Sequence, residues 1–123
     1  MKLTKNFSLS EFASKDGADF TPFAKDNIKI LAEQLQVIRD TIGKPITVNS
    51  GYRSEAHNRA IKGASNSYHV KGMAADITAQ GMTPQDVGDV IERLMHKGAI
   101  IKGGLKVYVS WVHYDFRGKL VKF

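Results

Sequence analysis

The fold is decided by the stretch Ser67-Tyr68-His69-Val70-Lys71-Gly72-Met73-Ala74-Ala75-Asp76. It sets His69 and Asp76 seven positions apart, and a histidine nitrogen and a carboxylate oxygen are ordinary zinc ligands. Gly72 allows a tight turn between these two residues, while Ala74 and Ala75 leave room for close backbone packing as the chain enters a predicted strand. A histidine and an aspartate at this separation are also common in structural positions, so a metal site needs a third ligand elsewhere.

A second stretch, near the end of the chain, supplies a candidate for that ligand. Residues 107–115 are rich in β-branched and aromatic side chains, a composition that predicts a strand. Side chains on a strand alternate between its two faces, so we expect Trp111, His113 and Asp115 to share one face. His113 is therefore the predicted third ligand. The chain contains no cysteine, so the donors of any metal site must be nitrogen and oxygen atoms.

These motifs match the pattern of a known family. The pattern SxHxxGxAxD, preceded by Ser50-Gly51-Tyr52-Arg53-Ser54 and followed by Val112-His113-Tyr114-Asp115, resembles the zinc D-Ala-D-Ala peptidases. These enzymes belong with the lysostaphin-type enzymes and the hedgehog signalling domain. The stretches 6–12 and 43–46 also look like the small single-domain branch, which includes phage cell-wall lysins and bacterial murein peptidases. The resemblance covers nearly the whole chain.

The resemblance implies a zinc-dependent peptidoglycan peptidase that cleaves a stem-peptide or cross-bridge bond involving a D-amino acid. One zinc ion would lower the pKa of a water and polarise the scissile carbonyl. The implied ligands are His69, Asp76 and His113. Arg53 would hold the substrate or stabilise the oxyanion, because its planar guanidinium suits a carbonyl or carboxylate. Substrate binding is also implied for Tyr52 and Ser67, although Ser67 could equally serve a simple turn.

The chain lacks the residue that serves as the general base in part of the family. The vancomycin-resistance dipeptidases carry a carboxylate three residues before the second histidine, where this chain has Ser110. A serine cannot serve as a carboxylate base. Asp115 follows His113 on the same predicted face, roughly 6 to 7 Å along the strand. We therefore expect Asp115 either to replace the missing catalytic base or to orient His113.

Two other functions compete with this interpretation. A catalytically silent zinc domain would bind the cell wall or a protein partner, as the hedgehog domain keeps its metal without known proteolysis. The serine at position 110 keeps this alternative open. A non-metal α+β interaction domain would carry its histidines for unrelated reasons, and metal analysis of the purified protein separates it from the other two.

Length and composition predict a single domain over residues 1–123, because 123 residues with ordinary apolar content suit one core. The formal charge of +6 favours polyanionic neighbours such as a bacterial wall. The basic residues are scattered and lack the aromatic-interleaved cluster of nucleic-acid modules. We therefore expect peptidoglycan as the partner, no nucleic acid, and a monomer.

The N-terminal residues carry basic side chains but no apolar run of seven or more, so we expect no secretory signal. No stretch is apolar and long enough to be a candidate membrane span. The expected place of action is nonetheless the bacterial cell wall. It would be reached through a holin pore, within a virion, or by an export route that the sequence does not reveal.

Local signals predict an α+β fold, with helices flanking a mostly antiparallel sheet, and the family's hedgehog/DD-peptidase-like fold agrees. Thr21-Pro22 and Thr83-Pro84 are helix starts, and Gly43 and Gly98 are the corresponding stops. Ser54 should cap a short helix through Ile61. The predicted strands are residues 46–48, 76–78, 99–101, 105–109, 111–116 and 120–123, the last four as consecutive antiparallel strands.

Two further histidines lie on the predicted helices and are not expected to bind metal. His57 falls among polar residues on the short helix, where we expect it to be exposed. His96 lies in the last turn of the helix that begins at Thr83, where its protonated form would suit the helix dipole.

Overall fold

The computed structural model describes residues 1–123 and contains three α-helices, one five-stranded sheet and a short 3-10 helix at Leu9–Phe12. The strand order in the sheet is β1-β2-β4-β3-β5. The elements are α1 (Pro22–Ile42), β1 (Ile46–Ser50), α2 (Glu55–Ala60), β2 (Ala74–Ala79), α3 (Pro84–Lys97), β3 (Gly104–Val107), β4 (Val112–Asp115) and β5 (Val121–Lys122). The predicted α+β class is confirmed.

The helix boundaries follow the capping signals. The side chain of Thr21 accepts a hydrogen bond from the Ala24 N–H, and Thr83 accepts one from the Asp86 N–H, with proline in the first turn of both helices. These bonds satisfy backbone donors that have no partner within the helix. Ser54 likewise accepts from the His57 N–H and begins α2.

The core lies between the helices and one face of the sheet. Ile28, Leu31, Leu35 and Ile38 form a fully buried apolar stripe on α1, and α3 contacts both α1 and strands β2, β3 and β4. Burial of this apolar surface is the main favourable term in folding, at about 25 cal/mol per Å² removed from water. The core side chains include Ile28, Leu31, Leu35, Ile38, Ile77, Ile91, Met95, Val112 and Tyr114.

The sheet register places the functional residues side by side. Asp76 on β2 is the cross-strand partner of His113 on β4 and also of Ser50 on β1, where the register is irregular after Val48. Directly opposed residues of an antiparallel sheet project from the same face. The strand pairing therefore brings together residues that are far apart in sequence.

The C-terminal third differs from the prediction in three ways. Residues 99–101 do not form a strand, because their backbone groups are bonded elsewhere: the Ile101 carbonyl accepts from the Tyr114 hydroxyl at 2.6 Å, and the Ile101 N–H donates to Gln34 Oε1 at 2.9 Å. Strand β3 ends at Val107, two residues early, and β4 begins at Val112, after Trp111. The last strand, β5, pairs with β3 in a parallel, not antiparallel, orientation.

No helix in the structure has the length and apolar character that crossing a membrane requires.

Candidate metal centre

The three predicted ligands converge at one point. His69, Asp76 and His113 are buried, and each presents one donor atom to the same point. These three donor atoms lie within 4.8 Å of one another. Oδ1 of Asp76 lies 3.3 Å from Nε2 of His69 and 3.3 Å from Nδ1 of His113. Two imidazoles and one carboxylate form a donor set that suits zinc and leaves a fourth position for water or substrate.

The loop before β2 delivers His69 to this point. The His69 N–H donates to Ser67 Oγ at 3.2 Å, which fixes the turn. Gly72 has a left-handed backbone with φ of 74°, and a Cβ at this position would collide with the Ala24 backbone. Only glycine therefore lets the chain turn while packing closely against α1.

A hydrogen bond fixes the tautomer of His69. Nδ1 of His69 lies 2.8 Å from the Gly51 carbonyl oxygen. A carbonyl can only accept, so Nδ1 carries the proton and donates. The lone pair of Nε2 is then available on the side that faces Asp76.

His113 has the opposite tautomer from His69. Its Nε2 lies 2.8 Å from Oδ2 of Asp115, so this nitrogen carries the proton and donates to the carboxylate. Nδ1 is left free on the side of Asp76. Metal-binding histidines usually donate their other ring N–H to a carboxylate or a backbone carbonyl. Both histidines meet this condition, so the residues present fit a zinc ion.

Asp76 is ionised in this setting. Burial alone would raise the pKa of its carboxyl group, but the His113 and His69 rings, when protonated, donate to the carboxylate and hold the pKa well below its usual range; a bound metal cation would take the place of those protons. An ionised carboxylate is the form that binds a metal cation.

Asp115 has no surface exposed to solvent, and both of its oxygens are occupied. Oδ1 accepts from the Gly104 N–H at 2.9 Å and from Arg117 Nε at 2.8 Å. Oδ2 accepts from Arg117 Nη2 at 2.6 Å and from His113. Burial would raise the pKa of Asp115, yet the bonds from Arg117 and His113 lower it. Of the two roles expected for Asp115, this geometry supports orientation of His113 and does not support a general base, because the carboxylate is fully buried and does not line the cavity next to the three predicted ligands.

Arg117 is a residue whose role the sequence reasoning missed. It lies between the predicted strands 111–116 and 120–123, and it holds Asp115 with a two-pronged contact while its guanidinium lies 4.4 Å from the ring centre of Tyr68. The spacing of two residues between Asp115 and Arg117 was the available signal, since such residues share a face of an extended chain. The need for glycine at position 104 was also missed. Its N–H binds Asp115, and a Cβ at Gly104 would collide with Oδ2 of Asp115.

Arg53 lies next to the predicted metal ligands, with its guanidinium beside Asp76. Its backbone N–H donates to the His69 carbonyl at 3.1 Å, which ties the two loops together. Its guanidinium reaches Ser50 Oγ at 3.2 Å, Asn58 Oδ1 at 3.4 Å and Asp76 Oδ2 at 3.4 Å. These contacts are long, so the donors are available to an additional partner.

The three predicted ligands lie in the wall of an open cleft of about 510 Å³. Its walls also contain Arg53, Lys62, Gly63, Ala64, Asn66, Ser67, Tyr68, Tyr108, Arg117 and Phe123. Asp76 is the one carboxylate among the lining residues. The cleft is therefore rich in cations and in aromatic rings.

Ser67 and Tyr52, the two other residues predicted to bind substrate, do not both line this cleft. Ser67 lies in the cleft wall and also borders a neighbouring cavity of about 480 Å³. Tyr52 borders only that neighbouring cavity; it is buried, and its ring packs on Phe20 with a centroid distance of 5.4 Å. Tyr52 is thus part of the support beneath the Arg53 loop rather than a wall of the metal cleft.

Neither of the remaining histidines belongs to the cluster. His96 is exposed and lies 3.6 Å from Glu92, one helical turn away. His57 is half-buried on α2 instead of exposed as expected, because it lies near the Asp16 loop.

Comparison with known proteins gave matches in family, sequence and structure. Residues 4–115 match the family model described as Peptidase M15. The zinc D-Ala-D-Ala carboxypeptidase of Streptomyces albus G is 47% identical over 57 residues, which cover 46% of this chain and 22% of that enzyme. The chain thus matches less than a quarter of the length of that relative.

A solved structure resembles the fold. The crystal structure of the Serratia marcescens L-Ala D-Glu endopeptidase ChiX gives a TM-score of 0.50 at 21% identity, covering 79% of this chain and 88% of that chain. At this identity the likeness concerns the fold alone. It agrees with the expected arrangement of helices flanking a mostly antiparallel sheet.

Proposed function

Because this chain belongs to the peptidase M15 family, we propose that it is a zinc-dependent peptidoglycan peptidase. The observation that carries the proposal is the buried cluster of His69, Asp76 and His113 in the wall of an open cleft. Each histidine is oriented by a hydrogen bond at the nitrogen that faces away from the cluster. Such a preorganised site suits catalysis, because its ligands need little rearrangement to bind a metal.

Each residue has a definite role in this proposal. The three ligands hold one zinc ion, which supplies Lewis acidity for hydrolysis of an amide. Arg53 holds the substrate carbonyl or carboxylate beside the ligands, because its guanidinium lies next to Asp76 and makes only long contacts. Asp115 and Arg117 keep His113 in the tautomer that presents Nδ1.

The substrate we propose is a stem-peptide or cross-bridge bond that involves a D-amino acid. The names of both similar enzymes specify such bonds, D-Ala-D-Ala in one and L-Ala D-Glu in the other. We propose further that the residue after the cleaved bond carries a free carboxylate. A cleft with three cationic side chains, Arg53, Lys62 and Arg117, suits substrates of this charge.

The proposal extends to the setting in which the protein works. We infer that it acts at the bacterial cell wall as a monomer, with no nucleic-acid partner, as a carboxypeptidase or a murein endopeptidase. A phage lysin is one form that such an enzyme takes. Light scattering tests the monomer, and comparing released products tests which bond is cut.

Incubation with purified sacculi tests the activity. Zinc-loaded protein should release peptide fragments that mass spectrometry identifies, a chelator should abolish their release, and added zinc should restore it. The matched control is His69→Ala, which lacks a ligand. Sacculi left intact by protein with a full complement of zinc would contradict the proposal.

One observation favours a second candidate, a zinc domain that binds the wall or a protein partner without cleaving it. No lining residue other than Asp76 is a carboxylate, and Ser110 is exposed, so no free carboxylate stands ready as a general base. This candidate predicts that zinc-loaded protein sediments with sacculi and releases no peptide.

A further inference from the structure

Lys62 combines a strained backbone with a place in the cleft wall. Its φ is 59°, and it is the one non-glycine residue of the chain with a positive φ. Residues other than glycine, asparagine and aspartate rarely adopt this left-handed conformation, and such strain clusters at functional sites. Lys62 is exposed and is one of the residues that line the cleft containing His69, Asp76 and His113.

The turn itself does not require a lysine. The Lys62 N–H donates to the Arg59 carbonyl at 3.1 Å, and the Gly63 N–H donates to the Asn58 carbonyl at 2.8 Å, so the chain leaves α2 through a tight turn. Gly63 is needed, because a Cβ there would collide with the Asn58 side chain. Glycine or asparagine is the usual residue where a helix ends in a left-handed conformation. The backbone therefore leaves the choice of a long cationic side chain at position 62 unexplained.

The charges of the cleft distinguish Lys62 from its neighbours. Arg53 pairs with Asp76 at 3.4 Å, and Arg117 pairs with Asp115 at 2.6 Å. Lys62 forms neither an ion pair nor a side-chain hydrogen bond, since no carboxylate lies within 4.0 Å of its ammonium. It is the one cation of the cleft wall without an acidic partner.

We propose that Lys62 is a specificity-determining residue that binds a carboxylate of the substrate. An unpaired ammonium on the wall of this cleft supplies a point charge that a free carboxylate satisfies and a neutral amide does not. The inference rests on the proposed function and deepens it: the cleft selects peptides with a free carboxylate next to the cleaved bond over the same peptides amidated at that position.

The test measures binding separately from hydrolysis. N-acetyl-L-Ala-D-Glu and N-acetyl-D-Ala-D-Ala, each as the free acid and with every carboxyl group amidated, are titrated into metal-free protein and followed by NMR. Wild-type protein should bind the acids more tightly than the amides. Lys62→Gln and Lys62→Gly should each weaken binding of the acids roughly five- to tenfold and leave the amides unchanged, as expected for a partly exposed charge-assisted contact.

Two controls keep the result specific. Lys62→Gly suits the left-handed backbone, so its melting temperature should equal or exceed that of Lys62→Gln, and loss of binding cannot be ascribed to unfolding. Lys44→Gln removes an exposed lysine outside the cleft and should bind like the wild type. Equal binding of acids and amides, an unchanged acid affinity in both Lys62 variants, or no binding of any peptide would overturn the inference. Release of fragments from sacculi decides the proposed function independently.

Discussion

Asp76 and His113 are cross-strand partners on β2 and β4, and Oδ1 of Asp76 lies 3.3 Å from Nδ1 of His113. The same oxygen lies 3.3 Å from Nε2 of His69, which reaches it from a loop. The sheet thus fixes two of the three proposed ligands relative to each other, and the loop contributes the third. Sites built on strands are held more precisely than sites built on loops alone.

Loss of any one ligand should abolish tight zinc binding. His69→Ala, Asp76→Ala and His113→Ala each remove one of three protein donors. Loss of a residue that only orients a ligand lowers metal affinity roughly 10- to 100-fold. Loss of a ligand itself should lower the zinc affinity by more than that. Zinc content after dialysis against a competing chelator measures this. His96→Ala should match the wild type, and a requirement for His96 in place of His113 would refute the assignment.

The Asp115→Asn variant separates the two roles that the sequence left open. Because Asp115 is buried against His113 and Arg117, the change should weaken zinc affinity roughly 10- to 100-fold, and excess zinc should restore turnover. A general base would behave differently, with zinc affinity intact and turnover lowered by about two to four orders of magnitude. Metal titration together with zinc-saturated turnover distinguishes the outcomes.

Arg53→Lys should keep the fold and the metal while losing most hydrolysis. The contacts of Arg53 with Ser50, Asn58 and Asp76 are all 3.2 Å or longer, so they contribute little to stability. A lysine keeps the charge but cannot reproduce a planar two-pronged contact with a substrate. The variant should have an unchanged melting temperature and zinc content, and kcat/KM lowered at least about tenfold. Wild-type turnover would remove Arg53 from the mechanism.

Gly72→Ala should destabilise the protein by about 2 to 4 kcal/mol, because the new Cβ meets the Ala24 backbone and the residue keeps a φ of 74°. Gly81→Ala is the matched control: its φ is 73°, but nothing lies within 4 Å of the added Cβ. In Gly81→Ala only the unfavourable positive φ destabilises the protein, without a steric clash. Urea denaturation should therefore show a clearly smaller loss in the free energy of unfolding for this control than for Gly72→Ala. Equal losses would mean that the approach of α1 to Gly72 is unimportant.

Asp16 should make stability depend on pH in the acid range. Hydrogen bonds from the side chains of Ser54 and Ser14 lower the pKa of Asp16 to about 2. A lowered folded-state pKa gives stability that is present above the unfolded value of 3.8 and is lost as the pH falls towards 2. Asp16→Asn should therefore be less stable than the wild type at pH 7, and the difference should shrink between pH 4 and pH 2.

Thermal melts of the chelated protein across this pH range measure the effect of Asp16 without interference from bound metal. Asp19→Asn, a nearby exposed carboxylate for which no hydrogen bond is found, is the control and should leave the profile unchanged. A constant difference between Asp16→Asn and wild type at all pH values would show that the ionisation of Asp16 is not responsible.

The sequence alone determined the parts of the protein that depend on local chemistry. The caps at Thr21 and Thr83 follow from residues within one helical turn of the boundary that they define. The convergence of His69, Asp76 and His113 was predicted from a motif, a strand pattern and a family resemblance, and the structure brings these three side chains together. The glycine and alanines of the motif also have the close packing that their small size predicts.

Only the tertiary structure decided the roles that depend on contacts between distant segments. Asp115 could have faced the cleft or the interior. The Gly104 N–H and Arg117 occupy its oxygens, which directs it to His113. Residues 99–101 have the composition of a strand, but the backbone groups of Ile101 bond to the Tyr114 hydroxyl and to Gln34 instead of to a neighbouring strand. In these cases the local pattern allows more than one arrangement, and hydrogen-bond partners far along the chain select one, because a buried polar group left without a partner is costly.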